Sequence, residues 1–370
     1  MKWIIPLLPL VCSATALLAQ ERPRIVSPEV QADRRVVLRL WAPQASDVQL
    51  SGDWMGPQPP VKLARSDDGV WSVTVGPMAP NLYTYGFLVD GVRASDPSCR
   101  CTLTWAGRAS SSRFVVPAES PQVWDNQNHA PGTLHHERFF SKRQQRMRRF
   151  LVYTPPGYKS SGSRGYPTLV LLPGTPGDEN DWTSGGGFAE VMFDNLIAQG
   201  KMVPMIVVMH ASDVLENTKE RRGDDNLREF EAIVVDELLP VVRQRYRVSS
   251  IPRPWAIAGL SLGGEFGMFV GLKHPELFRA VASLSGSLVP NSFDNRFGQA
   301  LANLKAVARD DRLIWVGCGS EDIFFGGAKA FAERLQAANI PHVFRQFAGP
   351  HVMPVFRQEL AELLPLLFRR

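Results

Sequence analysis

Cysteine is scarce in this chain, with four residues among 370. Cys12 lies in an N-terminal apolar segment, which leaves Cys99, Cys101 and Cys318, so at least one thiol stays outside any intrachain disulfide. A small scaffold that depends on a disulfide framework is therefore excluded. The Cys99-x-Cys101 spacing has no second cysteine pair and no histidine cluster beside it. This disfavours a zinc site, and we interpret the cysteines as small buried residues.

A large excess of one charge is also missing. Lys and Arg number 41 and Asp and Glu number 36, which gives a net charge of +5. That excess is too small to predict a nucleic-acid partner. Hydrophobic residues make up 44% and charged residues 21%, which excludes a disordered chain. No internal repeat is present, so a solenoid is not expected.

Long apolar runs are absent except at the N-terminus. Residues 3–19 follow Lys2, are broken by Pro6 and Pro9, and end in small residues. The run is short for a membrane span, which needs about 20 apolar residues. The pattern predicts a signal peptide over residues 1–19. We therefore expect a secreted or periplasmic protein without stable membrane insertion.

Two hydrophobic patterns divide the rest of the chain. Residues 25–117 contain short alternating apolar segments separated by turn signals, which predicts a small all-β sandwich of immunoglobulin-like shape. Residues 118–132 contain prolines and little periodicity, and we interpret them as a linker. From 133 to 370, strand-like and helical segments alternate. This pattern predicts an α/β domain with a mostly parallel sheet. The expected strands are 150–153, 168–172, 205–209, 255–258, 280–283, 313–316 and 342–347, and the expected helices are 188–199, 227–246, 265–273, 327–338 and 355–367.

One motif in the second domain carries nucleophile chemistry. Residues 259–263 read Gly-Leu-Ser-Leu-Gly, directly after an expected strand and at the start of an expected helix. This is G-x-S-x-G in the strand–turn–helix context in which the serine stands exposed on a sharp turn. Ser261 is thus the predicted nucleophile. The alternative is a glycine-rich turn whose serine caps the helix.

A serine hydroxyl needs a base that takes its proton, and the base needs an acidic residue that orients it. In this strand–turn–helix context the order along the chain is serine, acid, histidine. Of the seven histidines, His351 alone follows Ser261 and sits in a loop after an expected strand. Asp322 lies between them, in the loop after strand 313–316, and we predict it as the acid; Glu321 is the competing neighbour.

An oxyanion needs N–H donors as well. One is expected from Leu262, the residue after the nucleophile. The second is expected from the loop after strand 168–172, where Pro176 has no N–H, so Thr175 is our choice. An ordinary Gly/Pro loop would have the same composition. Trp182 in this loop either lines the acyl or sugar side of the cleft or packs in the core.

Five motifs in order resemble the esterase-D-like group of α/β-hydrolases, which includes feruloyl esterases, acetyl-xylan esterases and relatives of enterochelin esterase and the mycolyltransferases. They are residues 153–158, 171–174 with 179–182, 259–264, 319–322 and 349–351. The resemblance implies the α/β-hydrolase fold and the same triad. There are two departures: Pro173-Gly174 stands where the group usually has His-Gly, and Gly349-Pro350-His351 where it often has Gly-Gly-His.

The N-terminal region resembles the early-set sandwich module of glycogen-branching and debranching enzymes, on residues 38–43, 52–54, 68–71, 83–90 and 96–97. Such modules also precede bacterial feruloyl esterases, and the alternative to glycan binding is that the module orients or partly covers the esterase cleft. Four aromatic residues of this region either stack on sugar rings or form the module's core: Trp54, Trp71, Tyr83 and Tyr85.

Together these features predict a secreted serine carboxylic-ester hydrolase that forms an acyl-enzyme and requires no metal or organic cofactor. The expected substrates are feruloyl or acetyl esters on plant polysaccharide, chiefly xylan, and no nucleic acid is expected as a partner. Three alternatives remain open: a siderophore trilactone esterase, an acyltransferase, and a non-catalytic glycan-binding protein. The oligomeric state is left open.

Overall fold

The structure is a computed structural model that describes residues 23–99, 102–103, 111–159, 165–212, 223–306 and 312–369. The predicted signal peptide and Cys101 lie outside these ranges. Within them, no helix combines the length and the apolar character needed to cross a membrane.

The N-terminal region forms two facing antiparallel sheets, as the alternating pattern predicts. One sheet has the order β1-β2-β6-β5, and the other has the order β4-β3-β7-β10-β9, with β8 paired to β7. The strands are β1 (Glu29–Val30), β2 (Val36–Trp41), β3 (Val48–Gly52), β4 (Val61–Lys62), β5 (Ala64–Arg65), β6 (Val70–Val75), β7 (Asn81–Val89), β8 (Val92–Ala94), β9 (Thr102–Leu103) and β10 (Ser111–Val116). A single 3-10 turn, Asp53–Met55, follows β3.

Three of the four aromatic residues of this module belong to its core. Trp71, Tyr83 and Tyr85 are buried in one cluster between the sheets. Trp54 is partly buried, and its ring meets the edge of Tyr83 at a centroid distance of 5.7 Å. Buried rings of this kind stabilise the sandwich and leave little aromatic face for sugar stacking.

Residues 117–132 contain no helix or strand. They are nevertheless held against the second domain. Trp124 is buried in that domain's core. The Asn195 side chain donates hydrogen bonds to the carbonyl oxygens of Val123 and Asp125 at 2.9 and 2.8 Å. The segment therefore follows the surface of the second domain rather than crossing open solvent.

The second domain is an α/β domain built on an eight-stranded mixed sheet of order β11-β12-β14-β13-β15-β16-β17-β18. The pairs β11–β12 and β12–β14 are antiparallel, and every later pair is parallel. The strands are β11 (Thr133–Ser141), β12 (Arg146–Thr154), β13 (Thr168–Leu172), β14 (Ile206–His210), β15 (Trp255–Leu260), β16 (Phe278–Leu284), β17 (Leu313–Gly319) and β18 (Val343–Phe347).

Helices cover both faces of this sheet, as its continuous apolar strands require. They are α1 (Ala189–Ala198), α2 (Asp224–Ala232), α3 (Leu239–Arg245), α4 (Ser261–Lys273), α5 (Phe293–Ala306), α6 (Phe325–Ala337) and α7 (Met353–Leu363). A π-helical segment, Ile233–Leu238, joins α2 to α3, and 3-10 turns span Pro290–Ser292 and Leu364–Leu366. One apolar cluster includes side chains of α4 and α6, and the other includes side chains of α1 and α7.

In the second domain, one strand and one helix were not expected from the sequence. The edge strand β11 reads Thr-Leu-His-His-Glu-Arg-Phe-Phe-Ser and is largely exposed, so it lacks a buried strand's apolar run. It pairs with β12 along its whole length, and that pairing defines it as a strand. Helix α5 begins inside residues 289–297, a segment whose shape the sequence pattern did not predict. Its mean hydropathy is low, and three phenylalanines anchor it: Phe293 and Phe297 pack on Phe331.

Candidate active site

Ser261 occupies a strained turn between β15 and α4. Its φ is +52°, in the left-handed region that residues other than glycine rarely adopt. The second glycine of the motif is also required. A Cβ on Gly263 would lie 2.2 Å from the carbonyl oxygen of Pro173. This close approach lets α4 pack directly on β13 and β15. The result is a serine held at the carboxyl end of the central strand.

The structure brings His351 and Asp322 together at the same sheet edge. His351 Nδ1 lies 2.7 Å from Asp322 Oδ2, and the Asp322 side chain is fully buried. Asp322 Oδ1 accepts a second hydrogen bond, from the backbone N–H of Phe324 at 2.8 Å. Glu321 is exposed. The carboxylate is thus fixed, and it fixes the imidazole ring that it faces.

Aromatic rings hold the imidazole from both sides. The His351 ring meets Phe356 at a centroid distance of 4.8 Å and Phe324 at 5.2 Å, both edge to face. These contacts restrict rotation of the ring about its side-chain bonds. Because Nδ1 faces Asp322, Nε2 is the ring nitrogen that remains available to groups in the cleft.

Ser261 and His351 line one cleft, with a cavity volume of about 390 Å³. The loop after β13 forms its floor: Gly174 and Thr175 line it, and a Cβ on Gly174 would sit 3.1 Å from Ser261 Cβ. The backbone N–H of Leu262 belongs to the first turn of α4, where N–H groups have no intrahelical acceptor. Thr175 therefore lines the same cavity as the nucleophile, and Leu262 follows the nucleophile directly in the chain.

Trp182 is placed elsewhere. Its side chain is 1% exposed and belongs to the core cluster beneath α1. Its indole N–H donates to the carbonyl oxygen of Leu172 at 2.8 Å. It is not among the residues that line the cleft. Of the two alternatives for Trp182, the structure shows core packing, because the indole finds its one acceptor inside the fold.

The N-terminal module forms the other wall of the cleft, in line with the alternative that this module partly covers the esterase cleft. Five of its residues line the same cavity as Ser261: Gly52, Asp53, Gly56, Thr84 and Ser111. Gly56 has a φ of +57°, and a Cβ added there would lie 3.2 Å from Pro350 Cγ. The module's turn therefore rests on the residue next to His351.

Arg357 of α7 joins the two domains from the inside. Its side chain is fully buried and donates to the carbonyl oxygen of Gly186 at 2.5 Å and to Asn81 Oδ1 at 3.2 Å. It also donates to the carbonyl oxygen of Leu82. Burial lowers the pKa of Arg357 to about 10, while the charge of Asp53 raises it, so the guanidinium stays protonated at neutral pH.

Asp53 lines the cleft, and its negative charge acts on this cation. Burial raises the pKa of Asp53 to about 6, against the lowering effects of the Arg357 charge and of hydrogen bonds at Thr84. Its Oδ2 accepts a hydrogen bond from the Thr84 hydroxyl at 3.0 Å. Its Oδ1 is buried and has no hydrogen-bond partner within the described part of the chain.

Replacing Arg357 by methionine is expected to lower the free energy of unfolding by about 3–5 kcal/mol. The variant leaves Asn81 Oδ1, two carbonyl oxygens and the Asp53 carboxylate without their cation. Urea unfolding at pH 7 measures the change. Arg345 is the matched control: it is half exposed and bound to Glu362, so its methionine variant should lose under about 1 kcal/mol. A loss below 1 kcal/mol for Arg357→Met would contradict this role.

The Asp53 carboxyl makes stability depend on pH with a defined sign. Its pKa in the folded protein, about 6, lies above its ordinary value of 3.8. Folding therefore favours the protonated form, so this group's contribution is present below pH 3.8 and is lost as the pH rises through 6. The full change is on the order of 2–3 kcal/mol.

The measurement is the difference in free energy of unfolding between the wild type and Asp53→Asn at pH 4.5 and 7.5. We expect the wild type to lose stability relative to the variant over this interval. Asp68 is fully exposed, and the Ser66 hydroxyl lowers the pKa of its carboxyl. The difference in free energy of unfolding between the wild type and Asp68→Asn should therefore be the same at pH 4.5 and at pH 7.5. A flat Asp53 difference would show that its carboxyl titrates normally.

Comparison with known proteins identifies the family. Residues 141–367, more than half of the chain, match a family model described as "Putative esterase", and the chain belongs to this family. Residues 26–98 match a second model, described as "Carbohydrate-binding module 48 (Isoamylase N-terminal domain)". The fold is accordingly an α/β-hydrolase domain preceded by an immunoglobulin-like module.

One curated relative is an "Endo-1,4-beta-xylanase/feruloyl esterase" from Xylanibacter ruminicola, 31% identical over 326 residues. That alignment covers 84% of this chain but 41% of the relative's length. Another is an uncharacterized protein from Corynebacterium glutamicum, 27% identical, of which 56% is covered. The chain thus spans less than two thirds of either relative.

Solved structures share the fold. The enterobactin esterase from Shigella flexneri superposes with a TM-score of 0.68 at 20% identity, covering 90% of this chain and 94% of that one. The feruloyl esterase module from Clostridium thermocellum superposes with a TM-score of 0.58 at 18% identity, covering 68% and 93%. The first likeness extends over both domains.

Proposed function

We propose that this protein is a serine carboxylic-ester hydrolase whose catalytic residues are Ser261, His351 and Asp322. The observation that carries the proposal is the 2.7 Å contact between His351 Nδ1 and buried Asp322 at the mouth of a cleft that Ser261 also lines. A serine on a strained turn, a fixed imidazole and a buried carboxylate are the parts that acyl transfer requires.

Each residue has one role in this mechanism. Ser261 Oγ attacks the ester carbonyl, and His351 Nε2 takes the serine proton. Asp322 holds the imidazole in the tautomer with its proton on Nδ1 and stabilises the imidazolium. The N–H groups of Leu262 and Thr175 hold the negative oxygen of the tetrahedral intermediate. The Leu262 N–H lies in the first turn of α4, where the helix dipole favours the negative charge.

The intermediate collapses when the ester C–O bond breaks. His351 donates its proton to the leaving alcohol, and the acyl group remains on Ser261. Water then attacks the acyl-enzyme, again losing its proton to His351. Release of the carboxylic acid restores the free serine. No bond-making step in this sequence calls for a metal or an organic cofactor.

We propose feruloyl or acetyl esters on plant polysaccharide, chiefly xylan, as the substrates. Two observations support this class. A 31% identical relative carries xylanase and feruloyl esterase in its name. The cleft volume of about 390 Å³ lies at the lower end of the range for small-molecule sites, which suits a single aromatic acyl group. The predicted signal peptide and the carbohydrate-module match fit a secreted or periplasmic protein that meets a polymer.

A siderophore trilactone is the second candidate substrate. The observation that favours it is the likeness to enterobactin esterase, which covers 90% of this chain and includes the module that walls the cleft. The predicted export of the protein opposes it.

The test is hydrolysis of methyl ferulate beside an acetylated xylo-oligosaccharide and a catecholate trilactone. Turnover of ferulate at the highest kcat/KM supports a feruloyl esterase, and preference for acetate supports an acetyl esterase. Preference for the trilactone would replace the plant-ester proposal. If the Ser261→Ala variant retained the wild-type rate, the serine mechanism itself would fail.

A further inference from the structure

The cleft has two walls of different origin. The esterase domain supplies the reacting groups, and the N-terminal module supplies a polar face made of Asp53 and Thr84. Asp53 stands on the 3-10 turn after β3, and Thr84 lies on β7. The mechanism proposed above uses neither residue.

The Asp53 carboxylate has acceptor capacity that the protein does not use. A carboxylate offers about four lone-pair sites. Thr84 occupies one of them on Oδ2, while Oδ1 is buried without a partner in the described residues. Leaving such an atom unsatisfied is costly, and native structures do so seldom. Asp53 lines the cleft, and the terminal torsion about its Cβ–Cγ bond is broad, so rotation of the carboxylate turns an acceptor towards a bound ligand.

The surroundings of Asp53 define the chemistry that it can recognise. An ionised carboxylate only accepts hydrogen bonds, so its ligand must be a donor. The buried Arg357 cation lies close enough to act on its charge and anchors the wall from behind. A second anion is repelled here, whereas a neutral hydroxyl is attracted.

We propose that Asp53 is a specificity-determining residue that accepts a hydrogen bond from a hydroxyl group of the ester substrate. This inference rests on the proposed esterase function and deepens it. The hydroxyl has two sources with the same chemistry: a phenol on the acyl group, or a sugar hydroxyl on the alcohol. In either case the N-terminal module acts as part of the substrate site.

The experiment uses two pairs of esters that differ in capped hydroxyls. Methyl ferulate is compared with methyl 3,4-dimethoxycinnamate, and an acetylated xyloside is compared with its O-methylated counterpart. kcat/KM is measured for the wild type and for Asp53→Asn, which keeps the side chain's size. Glu190→Gln is the matched control, because Glu190 also has a buried carboxyl oxygen without a partner but lines a separate cavity.

In at least one pair, the wild type should prefer the hydroxylated ester by about tenfold or more, as expected for a hydrogen bond to a charged group. Asp53→Asn should reduce that preference about tenfold and leave the capped ester within threefold. Glu190→Gln should keep the wild-type preference. The pair that responds identifies the source of the hydroxyl.

Equal losses on both members of each pair would show a structural role and overturn the inference, as would a preference that survives the substitution. The proposed function is judged separately, from wild-type rates. If the wild type ignores cinnamates but Asp53 governs the xyloside pair, the feruloyl proposal fails and this inference stands. If ferulate is hydrolysed and Asp53→Asn leaves both preferences unchanged, the feruloyl proposal stands and this inference fails.

Discussion

Replacing Ser261 by alanine is expected to lower kcat for ester hydrolysis by a factor of about 10⁴ to 10⁶. In the proposed mechanism the Ser261 oxygen bonds to the acyl group, and no other described residue that lines the cleft stands on a strained turn beside the Leu262 N–H. The oxyanion donors and the cleft walls remain, so a residual rate above that in water is expected. Substrate binding should change little, because the lost atom is small.

The measurement is single-turnover and steady-state hydrolysis of the best ester found for the wild type. Ser292→Ala is the control: Ser292 is half-buried away from the cleft and its hydroxyl donates to the carbonyl oxygen of Val289, so the kcat of this variant should match the wild type. Circular dichroism checks that both variants fold. Retention of more than about one hundredth of the wild-type kcat by Ser261→Ala would mean that another group is the nucleophile.

Replacing Asp322 by asparagine is expected to lower kcat by about 10³- to 10⁴-fold. The amide has the size of the carboxylate, but it cannot stabilise the imidazolium. Its N–H₂ group also favours the tautomer in which Nδ1 accepts a hydrogen bond and the ring proton is on Nε2. The 2.7 Å contact with His351 makes this effect direct. KM should change far less than kcat, because Asp322 is buried beneath the ring.

Glu321 provides the comparison, since it precedes Asp322 and is exposed. Glu321→Gln should hydrolyse ester at the wild-type rate. If Glu321→Gln lost activity and Asp322→Asn kept it, the assignment of the acid would have to be exchanged. A mild loss in Asp322→Asn would indicate that the phenylalanine rings alone orient His351.

The proposed catalytic positions could be predicted because their sequence signals are local. The turn at Ser261 needs glycines two residues on either side, and those spacings are visible in any sequence. Asp322 and His351 each follow a strand, and parallel strands bring their carboxyl ends to one edge of the sheet. The choice between Asp322 and Glu321 needed the structure, because both stand in the same loop.

Other features depend on contacts between residues that are distant in the sequence, and the sequence pattern did not predict them. β11 is polar and exposed and becomes a strand by pairing with β12. Trp182 stands in the motif loop, yet its indole turns into the core to reach Leu172. In both cases tertiary contacts outweigh the sequence pattern, because hydrogen-bond partners distant in the chain decide the outcome.

The sequence by itself therefore determined the family, the two-domain order and the candidate reacting residues, since each depends on short spacings and periodic patterns. Only the tertiary structure showed that the N-terminal module forms a wall of the cleft. That wall depends on Arg357 reaching Asn81, 276 residues earlier in the chain. It depends also on Gly56 resting on Pro350 beside His351. Contacts at such separations leave no periodic trace in a sequence, because they arise only when both domains have folded and their buried polar groups must find partners.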